Sequence, residues 1–451
     1  MAAESTENPI IEILSRFFLP LRSPIKLPSI TELLQVSAAW GGWILDGYTS
    51  IAYLLVFSYI SVLIFPRYLG YLALILTLLP VTFGAAARSV GSVILGNFIG
   101  DRKGRKNLLS ISIIGFSVLS AAIGLLPTYS QAGIASPILL YALLFLDGIF
   151  AGAEYGGGTA LSMESVRPEK REQAGAFVQS GYGTGYFLIV FVEILLLRSM
   201  GSSAFASYGW RILMLTAIIP GVITLVIRRL SKETAVFDRM KAENDIEKSP
   251  ARKMFKNRSS IVFGFMITAG LLFMNTATAS FYPVVGSVDF LNLGSGLLYA
   301  LLVINFFSLI GVWSGGILAR SFRDRRRPML IFSVIFTAPT ALFVIFGYTT
   351  NIMDFTIVFS IQLFLEALIF SALPVFLAES FSKKFRSTAV GLIYNGGAIF
   401  GGTAIVLLTA PAHIINIRTL WIVEVYIAGI ILILGLIFYK KQENTSDPIE
   451  N

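Results

Sequence analysis

Gly96-Asn97-Phe98-Ile99-Gly100-Asp101-Arg102-Lys103-Gly104-Arg105-Lys106 is the stretch from which the fold can be read. From Asp101 to Lys106 an acid leads, four bases follow, and Gly104 stands among them. In a soluble protein this would be an ordinary solvated loop. Here long apolar runs flank it on both sides, each at least as long as the roughly 20 residues needed to cross a hydrocarbon core.

The whole chain shares that character. Of its 451 residues, 55% are hydrophobic and 14% charged, against roughly a quarter charged in soluble domains. Mean hydropathy is +0.76, which places the chain in the polytopic membrane class. There is no Cys and one His, His413. Disulfides, thiolate metal sites and His clusters are therefore excluded, and no metal or cofactor is expected. The N-terminus carries Glu4, Glu7 and Glu12 with no basic-then-apolar run, so no cleaved signal peptide is expected.

Reading outward for apolar runs gives twelve spans, near 33–60, 68–98, 107–127, 136–163, 174–198, 209–228, 259–286, 293–318, 329–349, 354–378, 388–411 and 418–439. If the spans alternate, every Lys and Arg except Arg67, Arg88, Arg198, Arg211 and Arg418 falls on one side. The positive-inside rule makes that side cytoplasmic and puts both termini there, in a plasma membrane protein. The net charge of +9 then reflects this bias, and no nucleic-acid partner is implied.

The chain also divides. Residues 230–258 form the only long polar link, with six spans on each side. This predicts an N-terminal segment 1–32, a half 33–229, the linker, a half 259–440 and a tail 441–451. Glu164 precedes Arg171 by seven residues after span four, and Glu379 precedes Arg386 by seven after span ten. A charged loop follows span two, and another, Arg320 to Arg327, follows span eight. Marks recurring six spans apart predict two pseudo-symmetric halves, the plan of a transporter that rocks about a midplane site.

With these marks in place, the sequence resembles the major facilitator superfamily, and within it the metabolite:proton symporter family, which includes sugar-porter-like and sialate-symporter-like members. The resemblance rests on Gly100 to Lys106, Arg88-Ser89-Val90-Gly91, Gly152-Ala153-Glu154-Tyr155-Gly156-Gly157, the paired Glu and Arg marks, and Ile399-Phe400-Gly401-Gly402-Thr403. It implies an all-α membrane protein of twelve transmembrane helices in two six-helix halves. It also implies a cytoplasmic latch, and for that gate we take Asp101, Arg102, Gly104, Arg105, Glu154, Glu164, Arg171, Glu379 and Arg386. The chain departs from the family pattern in places. Asp46 is kept but a second acid is lost at Thr49, an Arg is replaced by Leu144, and Asp147 stands where a Gln is usual. The step from Arg88 to Asp101 is one residue longer than usual.

Ionisable groups near mid-bilayer cost about 3 kcal/mol or more, which makes them functional candidates. Counting along the spans places Asp46, Arg88, Asp147 and Glu366 there. Asp46, Asp147 and Arg88 are the proton-coupling candidates. A carboxylate poised between burial and a nearby base can load and release a proton. A permanent Asp–Arg bridge holding helices together is the alternative. Substrate-binding candidates are Arg88, Tyr48, Gln179, Asn275, Gln362, Glu366 and Asn395, with interhelical hydrogen bonding as the alternative for the neutral ones.

Asp101 to Lys106 is no phosphate-binding loop, since it lacks the Gly-x-x-x-x-Gly-Lys pattern, so ATP is not implied. The expected function is proton-coupled symport of a small polar metabolite, with an organic acid favoured by the resemblance. The expected partners are the lipid bilayer, protons and that metabolite, and the chain is expected to be a monomer. Uniport or antiport of a sugar or amino acid is the alternative on the same fold. A non-transporting membrane sensor is the alternative of another class. An enzyme is not expected, for want of convergent catalytic groups.

Overall fold

Ser29 opens the first helix. Its hydroxyl accepts the Glu32 amide at 3.2 Å, and the Glu32 carboxylate accepts the Ser29 amide at 2.8 Å, a reciprocal cap. Helix α1 then runs Ile30–Ile64, starting a turn earlier than the apolar run alone predicts. The computed structural model describes residues 29–439 except 257 and 323. The predicted N-terminal segment up to residue 28 and the predicted tail lie outside the described residues.

Ten helices among the described residues are long and apolar enough to cross a membrane. They include α2 (Tyr71–Lys103), α3 (Arg105–Leu125) and α4 (Ala135–Ser165). One of the ten, Pro168–Leu230, is 63 residues long and is not straight. It breaks at Gly201, whose φ of 78° is a conformation that favours glycine. The chain folds back there, giving α5 (Arg171–Ala204) and α6 (Trp210–Leu215 continuing as Ile218–Leu230). A bent pair, Arg326–Thr337 and Thr340–Gly347, makes one further span, α9, broken by 41° around Pro339. The others are α7 (Arg258–Ala277), α8 (Gly296–Ala319), α10 (Ile352–Ser380), α11 (Arg386–Thr409) and α12 (Ile417–Phe438). Dividing the long run and joining the bent pair yields twelve spans.

Six spans precede the polar link and six follow it. Helix α2 packs on α11 and α5 packs on α8, so the halves meet along two equivalent seams. Helices α1, α2, α4, α7 and α11 line the centre. The link carries two short helices, Ala235–Ala242 and Pro250–Met254, and reaches the C-terminal half through Asp245 and Lys384. Gln35 donates to the Glu233 carbonyl at 2.9 Å, and the Ala251 amide donates to Asn97 at 3.1 Å.

The opening stretch is not a simple loop. Gly96–Gly100 is a π-helical turn continuous with α2, and the Asp101 amide reaches back to the Gly96 carbonyl. A π turn accommodates one more residue than an α turn. Such a turn has room for the extra residue expected between Arg88 and Asp101. Gly104 then breaks the chain with φ 112°, and a side chain there would also run into the Glu233 carboxylate.

Candidate functional site

A cavity of about 180 Å³ lies between the halves. Its N-half wall carries Asp46, Ser50, Arg88, Ser120 and Asp147, and its C-half wall carries Asn275 and Tyr394. Arg88 grips Asp46 through both terminal guanidinium nitrogens, Nη1 at 2.9 Å from Oδ2 and Nη2 on Oδ1. Ser50 adds a weaker bond to Asp46 at 3.3 Å. Asp46 is buried, while the Arg88 side chain keeps 18% of its surface open. The guanidinium is therefore shared between its partner and the cavity. Asp147 stands on the same wall but outside that pair, held by the Ser120 hydroxyl at 2.7 Å.

A smaller lobe adjoins it, sharing Tyr182, Asn275 and Tyr394 with the first. Gln179 and Glu366 line this lobe. Glu366 is fully buried and has no basic partner among the described residues. Asn275 donates to it at 2.8 Å, and Thr278 donates to its other oxygen. The two lobes thus present a guanidinium on one side and a hydrogen-bonded carboxyl on the other.

Three candidates do not line either lobe. Tyr48 shares a 2.7 Å hydrogen bond with Thr216. Gln362 accepts from Tyr282 at 2.9 Å in the packed interior. Asn395 donates at 2.8 Å to Ser92 and to the Gly152 carbonyl, tying α11 to α2 and α4. All three make the interhelical bonds that polar groups seek where no water is available.

Aromatic rings floor the cavity toward the basic end. Tyr155 of one half stacks on Tyr394 of the other at 3.6 Å, and Trp43 packs against both. Beneath them the halves are joined by charge. The Asp101 carboxylate crosses to α11 and accepts the Ser387 amide at 3.2 Å, the Thr388 amide at 3.0 Å and the Thr388 hydroxyl at 2.6 Å. It caps that helix in the way a residue of the same chain segment would, with its charge on the positive end of the dipole. Arg105 donates to the Gly100 carbonyl at 2.9 Å and, across the seam, to the Lys383 carbonyl at 2.8 Å. Arg102 holds the Lys248 carbonyl of the link.

The two Glu–Arg marks exchange partners. Glu164 pairs with Arg386 at 2.7 Å, and Arg171 pairs with Glu379 at 3.4 Å. The local geometry repeats as well. Each Arg donates Nε to the carbonyl eight residues earlier, Arg171 to Met163 at 3.3 Å and Arg386 to Ala378 at 2.9 Å. Both acids lie in the last turns of α4 and α10 rather than in the loops that follow.

Glu154 differs from the rest of its predicted group. It bonds Arg228 and, at 2.8 Å, Ser112, all within the N-terminal half. Arg228 also holds the Ala38 and Leu109 carbonyls, so this buried pair joins α1, α3, α4 and α6. Sequence reasoning missed Arg228, which ends an apolar run and looks like a flanking base. It missed the Glu172–Arg325 pair at 2.9 Å and the Asp245–Lys384 pair, which lies between the link and the C-terminal half. A partner for Glu172 could have been sought in the second-half charged loop, whose Arg325 also reaches Glu379 at 3.4 Å.

The sequence profile of the Major Facilitator Superfamily matches residues 45–404. The inner membrane metabolite transport protein YhjE of Escherichia coli (strain K12) is 31% identical over 337 residues, covering 71% of this chain and 74% of that protein. The shikimate transporter of the same organism is 37% identical over 159 residues, 35% of this chain and 36% of that one. In fold, a structure of the proton:xylose symporter XylE superposes with a TM-score of 0.73 at 14% identity, covering 91% of this chain and 96% of that chain. The profile match over most of the length, the YhjE likeness and the twelve-span architecture lead to one conclusion: the chain belongs to the major facilitator superfamily and is a multi-pass membrane transporter of metabolites rather than an enzyme.

Proposed function

We propose that the protein is a proton-coupled symporter of a small organic acid that works by alternating access. The observation that carries this reading is the Arg88–Asp46 pair, bidentate yet open to the central cavity. Arg88 can satisfy Asp46 or an incoming carboxylate, but not both in full. A proton on Asp46 releases the guanidinium to bind the substrate anion in the same planar geometry. Release of the proton to the other side restores the pair and expels the anion. One proton then accompanies one monoanion, and the loaded cavity carries no added charge. Asp147, apart from the pair, is the second acid able to take a proton.

The exchanged pairs and the Asp101 cap close the basic end in this state. Arg102, Lys106, Arg171, Arg325 and Lys384 gather at that end, and the positive-inside rule makes it cytoplasmic. Glu366 supports a second reading. An acid without a basic partner in the lobe beside Arg88 suits a zwitterion, with its carboxylate on Arg88 and its ammonium group on Glu366.

The test is uptake into proteoliposomes under an imposed pH gradient, run against a panel of organic acids, amino acids and sugars. Accumulation of an acid driven by an acidic exterior is expected. Uptake of the true substrate that ignores the gradient would overturn the symport reading.

A further inference from the structure

A separate cavity of about 310 Å³ opens between the halves at the end opposite the bases, lined by none of the residues of the central cavity. Leu55, Phe57 and Tyr59 of α1 form one wall, and Leu297 and Leu298 of α8 form another. Glu193 of α5 faces it and is 5% exposed. Its carboxylate makes no hydrogen bond and no ion pair among the described residues, and Oε2 is sealed from solvent. The buried Ser287 hydroxyl, from the segment joining α7 to α8, lines the same cavity and also has no partner. Among the described residues no Lys or Arg lines the space. Asp289 is another acid, already bonded by Ser58 at 2.7 Å, and Arg198 is turned to the Tyr299 hydroxyl at 2.8 Å.

A buried carboxyl with no partner is costly in its ionised form, so it either holds a proton or pairs with a cation that enters beside it. An orphaned hydroxyl lines the same space, and an apolar and aromatic wall completes it. We propose that this cavity is a binding site for a protonated primary amine. Its ammonium group donates to Glu193 and to Ser287, and its alkyl part packs on Phe57, Leu297 and Leu298. A quaternary ammonium has no N–H to give and fits poorly. Because Glu193 belongs to the N-terminal half and Ser287 to the C-terminal half, an amine seated here ties the halves together at this end. The site is independent of the organic-acid reading, since it shares no side chain with the central cavity.

The experiment uses the full chain in lipid nanodiscs, titrated with propylammonium chloride at constant ionic strength and followed by calorimetry and thermal unfolding. Saturable binding with a rise in unfolding temperature is expected, with tetramethylammonium at least tenfold weaker. Glu193→Gln should abolish binding. Ser287→Ala, which keeps the charge and is the milder change should Glu193→Gln fail to fold, should weaken it severalfold. Absence of saturable binding, equal binding of the two cations, or binding unchanged by Ser287→Ala overturns the proposal. Loss of amine binding with organic-acid transport intact would separate this site from the central one.

Discussion

Glu164 of the N-terminal half and Arg386 of the C-terminal half sit 2.7 Å apart, with neither side chain open to solvent. Breaking a buried pair by removing one partner strands the other charge, at a cost of about 3–5 kcal/mol. The stranded charge is relieved if the halves part and water enters. Glu164→Gln should therefore favour the state open at the basic end. The chain has no Cys, so Val375→Cys is a clean reporter, buried where α10 meets α5. Its maleimide labelling should speed up by about tenfold or more, equivalent to about 1.4 kcal/mol. Unchanged labelling would remove the pair from the latch.

The Asp101 cap should behave as helix caps do. Asp101→Asn keeps an acceptor for the Ser387 and Thr388 amides but loses the charge on the α11 dipole. Asp101→Ala loses both, at about 1 kcal/mol more. Labelling of the same reporter should rank Ala above Asn above the parent. Equal effects of the two substitutions would show that the charge, not the cap, is what matters.

Asp46→Asn should remove pH-driven accumulation while counterflow exchange of preloaded substrate persists. Asparagine cannot load a proton, and Arg88 is then free for the anion in both directions. Accumulation that survives the substitution would move the coupling role to Asp147.

Glu233 gives a prediction about pH. It lies in the link, outside the spans, where burial pushes its carboxyl above its ordinary value of 4.5 although the Thr234 and Lys106 amides bond it. A raised carboxyl binds its proton more tightly folded than unfolded, so its contribution to stability falls as pH rises through that range. Glu233→Gln keeps an acceptor and never ionises. Its unfolding temperature should match the parent near pH 4 and exceed it near pH 7. A gap that stays constant with pH would refute this.

Much of this was legible in the sequence because the bilayer leaves few choices. Spans could be counted from apolar length, and the seven-residue Glu–Arg spacing marked the repeat. Exchange of partners was not legible, because spacing along one chain segment does not say that Glu164 reaches Arg386 rather than Arg171. Asp46 and Arg88 could be flagged by cost alone, yet Tyr48, Gln362 and Asn395 could not be distinguished from Gln179 and Asn275. A polar group in a span serves packing or the cavity according to its rotation on the helix, and in spans buried all round no apolar stripe reveals that rotation. Glu193 went unremarked for the opposite reason. It sits near the end of a span, where an acid raises no alarm until its missing partner is seen.

The π turn at Gly96–Gly100 has a bearing on how such a chain tolerates change. An added residue in an α-helix rotates everything beyond it by about 100°. Confined to one wide turn, it leaves the helix above facing the membrane as before, and only the segment below is re-aimed. Deleting Ile99 would tighten the turn and swing Asp101 off the start of α11. Insertions and deletions at this joint therefore act as a dial on the contact between the halves, one that substitution at the contact itself cannot reproduce.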